Sequence, residues 1–148
     1  MTDRPRDRLS LGVLCFVAHR AVETRVLAAL ARAGYDDVTP SQGRVFSRIA
    51  PQGTRMGDLA DQAHVTKQTA SATVDQLERA GYVTRVADPD DARARLVVIA
   101  ERGLRAVEVA RVAEAEVEAE WVQQIGERSA RQLRAALEGI REVADPFR

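Results

Sequence analysis

Residues 59–103 read LADQAHVTKQTASATVDQLERAGYVTRVADPDDARARLVVIAERG, and this stretch decides the fold. Leu59, Ala60 and Ala63 mark one face of a short helix over 58–63, and His64-Val65 makes a tight turn. Thr66 then caps a second helix reaching residue 80, with Ala70, Val74 and Leu77 facing inward. Gly81 stops that helix in the left-handed conformation, and Tyr82 covers its last turn. Two helices joined by a few residues, the second with a short polar outer face, form a helix-turn-helix arrangement. Strands follow over 83–87 and 95–99, because Val86, Val97, Val98 and Ile99 favour extended chain, while Asp88-Pro89-Asp90-Asp91 favours a turn. The result is a helix pair with a hairpin whose tip is polar.

Upstream, the spacing predicts a long helix over 9–32, with Leu14, Val17, Ala21 and Val22 at three- and four-residue steps and Gly34 as its stop. Thr39-Pro40-Ser41-Gln42 opens the next helix: Thr39 is the N-cap, Pro40 the first helical residue, and Gln42 completes a capping box. That helix runs to residue 49 and is closed by Pro51 and Gly53. Downstream, helix resumes at Glu101, and Leu104, Val107, Ala110, Ala113, Val117, Trp121 and Ile125 form one apolar stripe that Gly126 ends. Ser129 with Gln132 makes another capping box, opening a last helix that carries Leu133, Leu137, Ile140 and Ala144. These terminal stripes are too long for so small a reading unit to cover, so they are expected to pack against a second copy of the chain. The chain therefore reads as mainly α with a small β-hairpin wing: a winged helix-turn-helix core over 39–103, an N-terminal dimerisation helix over 1–38 and C-terminal dimerisation helices over 104–148, one structural domain in all.

Composition narrows the function. At 148 residues the chain fits one small domain and excludes a large multidomain enzyme. Lys+Arg and Asp+Glu each number 22, so no global field draws it onto nucleic acid or a membrane, and any polyanion contact must be local. Residues 1–38 hold 6 basic and 5 acidic groups, 39–103 hold 9 and 8, and 104–148 hold 7 and 9. The lone Cys15 excludes an internal disulfide and suits a reducing cytoplasm, where the protein is expected to reside. The uncharged run 9–19 falls short of the roughly 18 to 20 residues that span a bilayer. Arg4, Arg6 and Arg8 faintly imitate a secretory leader, but Asp3 and Asp7 interrupt them, and no membrane contact is expected.

No enzymatic constellation emerges. The nine glycines are scattered, His19 and His64 stand far apart, and no spacing suits a metal or another cofactor. Glu114, Glu116, Glu118 and Glu120 alternate at two-residue steps, which spreads them around a helix as a solvated face. The polar start of the second helix of the pair is more informative. Thr66, Lys67, Gln68, Thr69, Ser71 and Ala72 are short or polar, a surface that can approach base edges in a major groove. An ordinary wet helix face would read the same way. The hairpin adds weight: Arg93 and Arg95 follow the Asp-rich tip, with Arg85 on the opposing strand, and arginines at a hairpin tip suit a narrow minor groove. Asp91 is expected to hold the Arg93 guanidinium by a charge-assisted hydrogen bond. The competing reading is a surface ion pair of about 0 to 1 kcal/mol.

Together, Leu59-Ala60, the run from Val74 through Asp75-Gln76-Leu77-Glu78-Arg79-Ala80-Gly81-Tyr82 to Val83, the wing residues Arg85, Asp88-Pro89 and Asp91-Ala92-Arg93-Ala94, and the closing Glu101-Arg102-Gly103 resemble the MarR family of winged helix-turn-helix regulators. The resemblance implies a homodimer on a pseudo-palindromic double-stranded operator, acting as a repressor relieved by a small molecule or an oxidant. It places the minor-groove arginine on Arg93 and the wing aspartate on Asp91. The chain departs from the family at Ala72, Ala92 and Ala100, where Arg, a basic residue and Thr are frequent. Cys15-Phe16 is similar to the peroxide-sensing branch, with Tyr35 and Arg44 as candidates to activate the thiol; the alternative is a small apolar residue on a buried helix face. By the same resemblance His19, Tyr35 and Arg44 line a ligand pocket. A helical ligand-binding or protein-interaction dimer that no longer reads DNA is the reading from another class.

Overall fold

Short-range polar bonds start the helices where the side chains are placed to make them. In the computed structural model, which describes residues 8–147, Ser10 caps α1 (Leu11–Arg32) by accepting from the Val13 N–H at 3.3 Å. Thr39 opens α2 (Pro40–Phe46) with the full capping box: its hydroxyl accepts from the Gln42 N–H at 3.2 Å, and the Gln42 side chain accepts from the Thr39 N–H at 2.9 Å. The helix ends three residues earlier than its periodicity suggests, at Phe46, with Ile49 reaching the core from the turn beyond. The leader-like residues Asp3, Arg4, Arg6 and Asp7 lie outside the described residues.

A two-residue strand, β1 (Thr54–Arg55), precedes α3 (Met56–Gln62) and was not foreseen from the sequence. It pairs antiparallel with β3 (Asp91–Ile99), placing Thr54 opposite Val97 and Arg55 opposite Leu96. β3 also pairs with β2 (Val83–Asp88), so the wing is a three-stranded sheet in the order β1-β3-β2. Gly53 makes the close approach possible: its φ is +97°, and a Cβ there would lie 2.8 Å from Val98.

Between α3 and the sheet, α4 (Lys67–Arg79) buries Ala70, Thr73, Val74 and Leu77. Val74 and Leu77 meet Val45, Ile49, Leu59, Tyr82, Val83 and Val97 in one core. α5 (Glu101–Ile125) then leaves the sheet and packs along α1, and α6 (Glu127–Ala144) folds back beside it. The buried phase of α5 is Gly103, Ala106, Ala113 and Val117, and Leu104 is exposed, so the expected stripe is off register at its start. Gly103 sets that phase, because a Cβ there would fall 2.2 Å from the Tyr82 carbonyl. Ser129 and Gln132 form no cap either. Gly126, at φ +83°, turns the chain and lets α6 begin at Glu127, which places Ser129 inside the first turn.

The terminal helices leave a large apolar surface uncovered in the single chain. Leu11, Leu14, Phe16 and Val17 are exposed on α1, as are Leu133, Leu137, Ile140 and Val143 on α6. Cys15 shares that exposed part of α1 in the single chain.

Candidate nucleic-acid interface

The outer face of α4 follows from what the inner face buries. With Ala70, Thr73, Val74 and Leu77 inside, Lys67, Gln68, Thr69, Ala72, Asp75, Gln76 and Arg79 are exposed, and Ser71 is half-buried. The Thr66 hydroxyl accepts from the Thr69 N–H at 3.0 Å and donates to the Thr69 hydroxyl at 2.9 Å, so both threonines first serve to start the helix. Lys67 and Gln68 project beyond that cap with no hydrogen-bond or ion-pair partner among the described residues. Gln76 accepts from the Gln42 side chain at 3.0 Å, which ties α4 to α2.

The wing is braced at two points. Arg85 on β2 donates to Glu78 and to Asp75, both at 2.7 Å, while Glu78 also accepts from the Arg85 main-chain N–H at 3.0 Å. Its side chain is only 22% exposed, so in the structure Arg85 forms a bracket between wing and α4. At the tip, Asp88 is 6% exposed and lies 2.6 Å from the Arg55 guanidinium. The Asp90 N–H, donating at 2.8 Å, and the nearby Arg55 charge hold the Asp88 carboxyl below its ordinary range. Asp91 does not hold the Arg93 guanidinium, as the sequence reading expected; its carboxylate accepts from the Arg93 main-chain N–H at 3.0 Å. The bond shapes the strand start and leaves the Arg93 side chain in solvent. Arg93 and Arg95, two apart on β3, lie on one side of the wing.

The cations of residues 39–103 fall into two groups, paired and unpaired. Arg44, Arg48, Arg55, Arg85 and Arg102 are each in an ion pair. Lys67, Arg79, Arg93 and Arg95 have none among the described residues, and all four stand on α4 or the wing. Arg79 was absent from the residues the sequence singled out as DNA-reading; its place on the polar face, seven residues after Ala72, was the signal available.

The residues expected to line a pocket separate. His19 and Arg44 flank a partly open cavity of about 440 Å³ between α1, α2 and α5. Val22, Val26, Leu30, Phe46, Leu77 and Tyr82 make much of its wall. Glu23, 11% exposed at its side chain, bonds Arg20 at 2.6 Å and Arg44 at 3.3 Å at the rim. Tyr35 is not in that lining. Its ring packs tilted against Tyr82, with centroids 6.3 Å apart, and lies 5.7 Å beneath the Arg102 guanidinium. Arg102 also bonds Asp37 at 3.1 Å, and the Tyr82 hydroxyl donates to the same carboxylate. Burial and that Asp37 bond push the Tyr82 phenol well above its ordinary range. The junction of Asp37, Tyr82 and Arg102 was missed from the sequence because its members are far apart in the chain. Cys15 lies outside the cavity, and the groups proposed to activate it, Tyr35 and Arg44, are engaged elsewhere. Among the described residues no cluster of His, Cys, Asp and Glu suits a metal ion, and no helix is long and apolar enough to cross a membrane.

Comparison with known proteins agrees with this geometry. Residues 36–94 match the model of the MarR family. Over 86 residues the chain is 28% identical to the exopolysaccharide II synthesis transcriptional activator ExpG of Rhizobium meliloti; the match spans 58% of this chain and 44% of that protein, so the chain accounts for less than half of that relative's length. A crystal structure of MarR superposes with a TM-score of 0.74 at 23% identity, over 92% of this chain and 98% of its own. The S. aureus MepR–DNA complex matches with a TM-score of 0.66 at 22% identity, over 92% and 99% of the two chains. Residues 36–94 thus resemble the MarR family, and the chain as a whole shares the fold of these MarR and MepR structures.

Proposed function

We propose that the chain is a sequence-specific DNA-binding transcriptional regulator that works as a homodimer on a pseudo-palindromic operator. The observation that carries this reading is the confinement of the unpaired cations of residues 39–103 to α4 and the wing. In the proposed complex α4 lies in a major groove with Lys67, Gln68 and Ser71 toward the bases or phosphates, and Arg93 enters the adjoining minor groove. Arg79 and Arg95 add phosphate contacts at either side. The exposed apolar residues of α1 and α6 are assigned to the contact between two copies, which would space two α4 helices about one turn of DNA apart, roughly 34 Å.

The cavity beside His19 and Arg44 supplies the regulatory input in this reading. Leu77 of α4 and Tyr82 contribute to its wall, so a small molecule there would touch the reading helix directly and release a repressor from its site. Nuclease footprinting on the DNA flanking the protein's own gene tests the proposal. Protection of an inverted repeat is the expected result. Weak binding without sequence preference would instead support a helical dimer that binds ligands or proteins and does not read DNA.

A further inference from the structure

We infer that Asp90, at the apex of the wing, is an affinity-limiting residue for DNA: an unpaired carboxylate carried ahead of Arg93 that repels the phosphate backbone. The inference rests on the DNA-reading function proposed above.

Three acids stand at the tip, and two have work in the fold. Asp88 is buried against Arg55 and accepts from the Asp90 N–H. Asp91 accepts from the Arg93 N–H. Asp90 contributes its main-chain N–H alone; its side chain is exposed and has no hydrogen-bond or ion-pair partner among the described residues. The turn does not require an acid there. Pro89 presets the first corner, and Asp90 has no left-handed φ, since His64 is the sole non-glycine with positive φ among the described residues. A neutral residue would therefore make the same turn.

Of the four unpaired cations on the reading surface, Arg93 and Arg95 belong to the wing. Asp90 and Asp91 stand directly before them, so the part of the wing that leads into a groove is electrically balanced although its arginines are free. A fixed carboxylate within about 10 Å of phosphates is only partly screened at 0.1 M salt, so its repulsion is felt in the complex. Such a charge keeps binding loose enough for a modest coupling to an effector to end it.

The test is titration of a duplex carrying the protected site with the full chain and with Asp90→Asn, Asp90→Arg and Asp36→Asn, at several KCl concentrations. Asp36, in the turn after α1, removes the same global charge far along the chain from the wing. Asp90→Asn is expected to tighten Kd about threefold and Asp90→Arg about tenfold for each wing, with the Arg variant steepening the salt dependence by about one phosphate per wing. Asp36→Asn should leave Kd within about a factor of 1.5, because Asp36 belongs to neither α4 nor the wing. Unchanged affinity in both Asp90 variants overturns the inference while leaving the regulator reading intact. Weaker binding by Asp90→Asn also overturns it, since Asp90 would then be accepting a hydrogen bond from the DNA. Failure of the native chain and of Asp90→Arg to bind any duplex refutes the regulator reading and this inference together. Equal melting temperatures of the variants confirm that the fold is common to all.

Discussion

Arg85 and Arg93 are eight residues apart on the same wing, and exchanging each for alanine should separate bracing from DNA contact. Arg85 makes two ion pairs at 2.7 Å from a side chain only 22% exposed. Its removal leaves Glu78 with the main-chain bond from residue 85 and leaves Asp75 without its partner, a loss of about 1–2 kcal/mol of stability. For a domain of this size that lowers Tm by about 3–8 °C. Arg93 has no ion pair to lose, so Arg93→Ala should melt with the native protein. In fluorescence-anisotropy titrations with operator duplex, however, it should bind about 5- to 150-fold more weakly for each wing, from about 1–3 kcal/mol of lost contact. The salt slope should fall by about one per wing. Arg85→Ala should keep the native salt slope, because its charge is already neutralised by the fold. The reasoning is refuted if Arg93→Ala lowers Tm, or if Arg85→Ala melts normally yet loses as much affinity and as much salt slope as Arg93→Ala.

Other perturbations probe the frame that carries these residues. Gly103→Ala places a methyl 2.2 Å from the Tyr82 carbonyl and 2.8 Å from Ile99, and urea denaturation should show a loss of about 1–3 kcal/mol. Asp88 has a depressed folded-state pKa, so its contribution is complete above its unfolded value near 3.9 and is lost as pH falls below it. Asp88→Asn should therefore be less stable than native protein at pH 7, and the gap in Tm should narrow between about pH 5 and 2 as the native carboxyl becomes protonated; a constant gap would contradict the assignment. Leu137→Glu puts a charge into the exposed apolar stripe of α6, and analytical ultracentrifugation should show a helical monomer whose operator affinity has fallen about a hundredfold or more through loss of the second contact. A variant that stays dimeric would move the contact between copies away from α6.

Legibility in the sequence tracked the range of the interactions involved. Thr39 and Gln42 are three residues apart, and so are Thr66 and Thr69; bonds of that reach are written in local spacing, and both caps form. Gly81 and Tyr82 end α4 as expected for the same reason. The strand Thr54–Arg55 has no period to detect, because only its pairing with Leu96 and Val97, some forty residues later, makes it a strand. Leu104 looked like a core position by periodicity, yet the phase of α5 is dictated by how closely Gly103 approaches Tyr82, a contact across 21 residues. Ser129 and Gln132 had the right types for a capping box, but Gly126 supplies the turn first. At the reading surface, residue types were legible and their allegiances were not. Nothing local distinguishes Arg85 from Arg93; the distinction comes from Asp75 and Glu78, which α4 brings against one strand and not the other.

The anchorage of α5 also determines how geometry scales through the molecule. At its first turn the helix is seated on the Tyr82 carbonyl through Gly103 and roped to Asp37 through Arg102. From there its 25 residues extend about 37 Å to Ile125. That makes α5 a lever with a short, stiff bearing: a tilt of ten degrees at the bearing displaces the far end by about 6 Å, and the ratio works equally in reverse. In a dimer joined through the terminal helices, a few degrees of play where the copies meet would change the gap between the two reading helices by several ångströms, a large fraction of the tolerance that one turn of DNA allows. The stiffness of this one bearing then governs how sharply the pair is tuned to a single half-site spacing.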